Sequence, residues 1–270
     1  MEKSRTVAPT GFGELMRRWR ERRRLSQLDL ATDAEISTRH LSFIETGRAQ
    51  PSREMVLLLA RALDVPLRDR NDLLVAAGYA PVYHESRLDA PAMAQARRAL
   101  DFILRQQEPY PALVLDRHWN VLEVNGGSAR FQARFLDPKE VADLGPPNGM
   151  RLMFHPRALR PHILNWEPTA ASLIQWLHRD VVSGFGGAPA RELLEELLAY
   201  PGVPRQFRTL DLDASTAPFL PIEFSKDGLT LRYFTTPTTL GTPHDITLQE
   251  LRIESFFPAD EATEMASGAL

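Results

Sequence analysis

The sequence predicts two differently built parts: an all-α bundle of five short helices, joined to an α+β domain whose antiparallel sheet is flanked by helices. Three observations predict this. From Phe12 to Ala77, apolar residues recur at helical spacing between capping residues and brief connections. From about residue 111, short apolar runs appear around a polar turn. The last third, "FLPIEFSKDGLTLRYFTTPTTLGTPHDITLQELRIESFFPAD", alternates β-branched and aromatic residues with polar ones.

The first predicted helix carries Phe12, Leu15, Met16 and Trp19 at i, i+3, i+4 and i+7. Its other face holds the arginines of "RRWRERRR". Ser26 with Asp29 forms a capping-box pattern that opens a second helix through Ala31. Ser37 caps a third, and Gly47 stands where a left-handed helix end favours glycine. Ser52, after Pro51, caps a fourth that runs through Leu58, Leu59 and Leu63. Pro66 lies near the start of a fifth, which ends at Gly78. "YAPVYHESRLDAPA" then breaks the pattern as a linker would. Met93, Ala96, Leu100, Ile103 and Leu104 mark another amphipathic helix, and "PALVLDRHWNVLEVN" a hairpin. Helical patterns follow around 160–182 and 189–199, then three strands with turns at Asp227-Gly228 and at 241–243. The expected organisation is a disordered tail over 1–11, a bundle over 12–79, a linker over 80–92, the α+β domain over 93–258 and a disordered tail over 259–270.

Composition removes several function classes. The chain has no cysteine, which excludes disulfides, thiolate zinc sites and cysteine nucleophiles. The N-terminus has no apolar core of a secretory signal, and no apolar run is long enough to cross a bilayer. A cytoplasmic protein without a membrane partner is expected. The net charge of −3 conceals an asymmetry, because the first 80 residues are net positive and the remainder net negative. That asymmetry favours a nucleic-acid partner for the N-terminal part. The seven histidines never stand at i, i+3 or i+4 from one another, so none forms a helical metal pair. H-E-x-x-H, G-x-S-x-G and P-loop patterns are absent. "GFGG" at 184–187 lacks a preceding strand, and "NGGSA" at 125–129 lacks hydrolase spacing. No catalytic residue, metal site or cofactor is expected, and the protein is read as a non-enzyme.

On a helical wheel the third helix is divided. Leu41 and Ile44 point one way; Arg39, Ser42 and Thr46 point the other, with Phe43 beside them and Thr38 and His40 on the flanks. Arginine pairs bidentately with guanine, and threonine or phenylalanine can touch a thymine methyl. Gln27, at the start of the preceding helix, and Arg48, after the glycine, are placed to meet phosphates. The stretch "LSQLDLATDAEISTRHLSFIETGRAQPSREMVLLLARAL" resembles the helix-turn-helix of the phage-repressor-like (XRE-type) DNA-binding domains. The resemblance implies that Gln27 and Arg48 contact phosphates while Thr38, Arg39, Ser42 and Phe43 face base edges. Ser37 and His40 complete the candidate DNA-binding set. One position departs from that family's pattern: Glu35 replaces the usual turn glycine, so a non-glycine residue has to adopt the left-handed conformation.

In the second part, "VLDRHWNVLEVNGGSARF" resembles the opening of a PAS domain. With "RNDLLVAAGYAPVY", "FHPRALRPHILNW" and "TTLGTPHDITLQELRIESFFPADEAT", the chain is similar over nearly its full length to the MmyB-like regulators. That resemblance implies a small-molecule-responsive transcription regulator whose PAS-like domain takes a fatty acid or similar apolar ligand. Trp119, Phe154, Trp166, Ile174 and Trp176 offer apolar surface for a pocket. Arg151, His155, Arg157 and His162 offer donors for a ligand carboxylate. Asn125 is equally able to line a site or to bond the backbone at a strand end. Trp119, Asn125, Phe154, His155, Arg157 and Trp166 form the candidate ligand set. The expected partners are a double-stranded operator, the apolar ligand and a second copy of the chain, since palindromic operators require two half-site readers. The competing reading makes the second domain an oligomerisation or protein-partner module without a small molecule.

Overall fold

A computed structural model describes residues 11–183, 187–210, 219–241 and 243–270. The expected N-terminal tail before Gly11, most of the "GFGG" stretch and Thr242 of the expected 241–243 turn lie outside the described residues. The chain divides into two compact units: one holds 11–86 and 243–249, the other 87–241 and 250–270.

The first unit is the five-helix bundle: α1 (Phe12–Arg22), α2 (Gln27–Asp33), α3 (Thr38–Glu45), α4 (Arg53–Ala62) and α5 (Leu67–Ala76). Met16, Leu30, Leu41, Ile44, Leu59, Leu63, Leu73 and Leu74 fill its core. The caps form as their residue types dictate. Ser26 and Asp29 complete a reciprocal capping box on α2, while the Ser37 and Ser52 hydroxyls accept from the backbone N–H of His40 and Met55. Glu35 takes the left-handed conformation with φ 53°, and Gly47 ends α3 at φ 71°. Gly13 lets α1 approach α3 closely, because a Cβ there would lie 2.6 Å from the carbonyl oxygens of Ile44 and Glu45.

A short segment from much later in the chain completes this unit. Ile246 is buried, and its N–H donates to the His84 carbonyl at 2.9 Å. The Asp245 carboxylate accepts from the backbone N–H of Ser86 (3.2 Å) and Thr247 (2.9 Å). Pro66 precedes α5 and has no side chain able to cap it; instead Gln249 Oε1 accepts from the Leu67 N–H at 2.7 Å.

The second unit is the α+β domain. Its elements are α6 (Ala94–Gln106), β1 (Ala112–Leu115), β2 (Val121–Val124), α7 (Gly126–Phe135), α8 (Pro138–Val141), α9 (Gly149–Phe154), α10 (Trp166–Ser183), α11 (Gly187–Ala199), β3 (Leu220–Lys226), β4 (Leu229–Thr238), β5 (Arg252–Pro258) and α13 (Glu261–Ala269), while α12 (Ile246–Glu250) falls almost wholly in the 243–249 segment of the first unit. The five strands form one antiparallel sheet in the order β2-β1-β5-β4-β3. Asp227 and Gly228, both at positive φ, make the tight β3–β4 turn. The register aligns Leu113 with Glu254, Leu220 with Thr235 and Thr235 with Phe256. Strand alternation therefore places Leu113, Leu115, Leu220, Ile222, Phe224, Thr235, Glu254 and Phe256 on one face. Among the described residues, no helix is long and apolar enough to cross a membrane.

The C-terminal tail expected to be disordered is instead helical. Asp260 caps α13 through the Thr263 N–H, Thr263 Oγ1 accepts from the Arg232 N–H at 2.9 Å, and Ser267 meets the Tyr233 hydroxyl at 2.6 Å. Two buried hydroxyls on the inner face of a short helix pair with β4, so tertiary contacts order a segment whose polar composition reads as tail.

Candidate functional sites

On the first unit, α3 presents the division expected of a groove-reading helix. Leu41 and Ile44 are fully buried, whereas Arg39 is exposed and Thr38, His40, Ser42 and Phe43 are half-buried. The Arg39 guanidinium lies 5.3 Å from the centroid of the Phe43 ring, a cation–π contact that orients the arginine on the outer face. Exposed Arg48 follows the end of α3. Behind this face lies a buried ionic node. Arg20 donates to both Glu45 carboxylate oxygens, at 2.7 and 3.0 Å. Gln27 Nε2 donates to Oε2 at 2.8 Å, and Arg17 stands 3.7 Å from the same oxygen. Burial pushes the Glu45 carboxyl up, but the hydrogen bonds from Arg20 and Gln27 and the charges of Arg20 and Arg17 outweigh it and hold it below the usual carboxylate range. The node ties α1, α2 and the end of α3 together, fixing the angle at which α3 is presented.

On the second unit, the sheet face described above and α7, α9 and α10 enclose a cavity. Its empty volume is about 790 Å³ with the open mouth included. The walls are mostly aliphatic and aromatic: Leu113, Phe131, Met150, Leu173, Ile222 and Phe224 are typical. Trp119 enters the wall from the β1–β2 turn. The Asp116 carboxylate accepts from the N–H groups of His118 (2.8 Å) and Asn120 (2.9 Å), and Trp119 takes φ 66° within that turn. Its ring stacks on Trp176 at 6.2 Å, and Arg252 lies 4.7 Å over it. Among the described residues, Glu254 is the only acidic or basic one that lines the cavity. Burial pushes its carboxyl up to about 7, against weaker opposing effects from the Thr235 hydroxyl and Arg252. Arg252 is paired with Asp180 at 2.8 Å.

Residues 96–270, which contain this entire cavity, match the family described as the MmyB-like transcription regulator ligand binding domain. The chain belongs to the MmyB-like transcription regulators. A helix-turn-helix domain matches residues 12–73, and the HTH-type transcriptional repressor RghR of Bacillus subtilis (strain 168) is 34% identical over 116 residues, spanning 41% of this chain and 78% of that one. This MmyB-like regulator is therefore a DNA-binding helix-turn-helix protein with an attached ligand-binding domain.

The MmyB-like regulator gathers some of the sequence-selected residues and disperses others. Gln27 directs one amide hydrogen inward to Glu45. Of the ligand set, Trp119 lines the cavity. Phe154, His155, Arg157 and Trp166 are not among its lining residues. Phe154 is core, and the chain turns at the end of α9. The turn sets His155 against Tyr200, Arg157 3.5 Å from Glu140, and Trp166 beneath the Arg160 guanidinium. Arg151, another expected donor, forms a bidentate pair with Glu196. Asn125 serves the backbone: its Oδ1 accepts from the N–H of Ala112 and Ser128, and its Nδ2 donates to the carbonyls of Leu104 and Tyr110. Sequence reasoning missed Glu254, Thr235 and the β3 residues. The period-2 alternation of 220–224 and 252–256 already places the β3 residues on one face of their strand, and Glu254 on the same face of its run as Arg252 and Phe256.

Proposed function

We propose that this regulator reads a palindromic operator as a homodimer and that a small apolar, fatty-acid-like ligand in the C-terminal cavity modulates its DNA binding. The outward presentation of Arg39 against Phe43, on a helix whose other side is buried, carries the DNA part of this reading. Thr38, Arg39, Ser42 and Phe43 face base edges, Gln27 and Arg48 meet phosphates, and Ser37 and His40 flank them. Two copies are required because one helix-turn-helix covers a half-site. The apolar cavity under the sheet supports the ligand part, and the five-stranded antiparallel sheet supports a PAS-like description of the domain. The regulator is non-enzymatic and cytoplasmic in this reading.

Two experiments test it. Arg39→Ala should lose discrimination at one base position by about ten-fold or more, whereas Gln27→Ala should weaken binding to all sequences alike. Quantitative binding to a library of operator variants reads both, and an unchanged sequence preference in Arg39→Ala would remove the base-reading role. For the cavity, native mass spectrometry of purified protein should detect a bound lipid-like acid. Decanoic acid should raise the melting temperature of the wild type, and Leu173→Trp should abolish that rise while circular dichroism remains native. No bound lipid and no shift with any acyl compound would favour the oligomerisation module instead.

A further inference from the structure

The cavity wall is not uniformly apolar. Glu254 and Thr235 stand diagonally across β5 and β4, on the sheet face that forms the floor. Thr235 is 1% exposed and Glu254 8% exposed. The Thr235 hydroxyl lies beside the carboxyl, yet its Oγ1 completes no hydrogen bond of normal geometry. A buried hydroxyl without a partner is costly. An apolar residue at either position would suit a pocket that takes hydrocarbon alone. Among the described residues, no lysine, arginine or histidine lines the cavity, and Arg252 beside it is paired with Asp180, so a ligand carboxylate at this depth would meet Glu254 without a free cation to match it. A hydroxyl meets both groups at once: its hydrogen goes to a Glu254 oxygen, and its oxygen accepts from the Thr235 hydroxyl.

We propose that the Glu254–Thr235 pair is a recognition site for a hydroxyl group carried on an aliphatic ligand. This rests on the reading that the cavity binds an apolar ligand, and it adds the chemistry of the ligand's inner end. Fatty alcohols and hydroxylated acyl chains fit; unsubstituted acids and esters lack the matching donor at that depth. Trp119 Nε1, also buried without a partner in the cavity wall, offers a second donor along the same ligand.

Isothermal titration of the full-length protein with decan-1-ol, methyl decanoate and decanoic acid tests the idea. Decan-1-ol is expected to bind about ten-fold more tightly than methyl decanoate, the scale of one well-made hydrogen bond. Thr235→Val, which keeps the side-chain shape, and Glu254→Gln should each shrink that preference while leaving methyl decanoate binding within about two-fold. Decanoic acid should bind better below neutral pH, where Glu254 takes up its proton; its other acting charge, Arg252, stays paired with Asp180. Equal affinity for the alcohol and the ester, or a preference untouched in both variants, would overturn the hydroxyl site while leaving the apolar cavity in place. Failure of all three compounds to bind would remove both.

Discussion

Glu45→Ala is expected to cost the N-terminal unit about 3 to 5 kcal/mol, because it leaves the Arg20 guanidinium buried without its partner. The Glu45 side chain is fully buried and that of Arg20 is 11% exposed, so water cannot replace the lost contacts. Gln27 loses its acceptor at the same time. Urea unfolding followed by tryptophan fluorescence, through Trp19 in the core of this unit, measures the change. The mechanism makes a second, opposite prediction. The charge-free pair Arg20→Met with Glu45→Leu should recover most of the loss, since buried ion pairs are replaced by packed apolar groups at little cost. If the double variant were as unstable as Glu45→Ala, the penalty would come from packing and not from an orphaned charge. The depressed Glu45 carboxyl also contributes stability that is present above the ordinary glutamate range and lost as pH falls through its lowered value.

Glu254 should act in the reverse sense on the second unit. Its carboxyl is raised from 4.5 to about 7, so between those values the folded state holds a proton that the unfolded state has released. Stability from this group is therefore fully present below about pH 4.5 and disappears as pH rises through about 7. The difference corresponds to about 3 kcal/mol at one pKa unit per 1.36 kcal/mol. Glu254→Gln removes the titration. Measured against the wild type, the variant should gain on the order of 3 kcal/mol in relative stability between acid and mildly alkaline pH. Chemical denaturation of both proteins across that window, reported by the tryptophans of the second unit, gives the answer. Parallel pH profiles would show that Glu254 titrates normally and that its burial is relieved.

The elements were largely legible because their signals are local. The Ser26–Asp29 box, the Ser37 and Ser52 caps and the left-handed turn at Glu35 involve residues within a few positions of one another. Caps and turns are decided at that range, so the sequence-derived helices of the first unit coincide with the observed ones. The outward face of α3 was legible for the same reason, since it lies on one amphipathic helix. The lining of the cavity was not. Its candidates were chosen by aromatic content and proximity in sequence, and the turn after α9 set Phe154 in the core and His155 and Arg157 beside other partners. Strand register, which joins residues 113, 235 and 254, assembles the cavity floor from three distant stretches.

The sequence by itself determined the two-part organisation, the helix boundaries of the DNA-binding unit and the outward face of α3, because periodicity and capping operate over one or two turns of chain. Only the tertiary structure decided the rest. It brought Arg20, Gln27 and Glu45 into one buried node, let 243–249 complete the first unit, ordered Glu261–Ala269 as a helix and placed Glu254 beside Thr235. Each of these depends on pairing across many intervening residues. Such contacts form where burial and sheet register leave a polar group one available partner, and that partner's position is written in the fold rather than in its sequence neighbourhood.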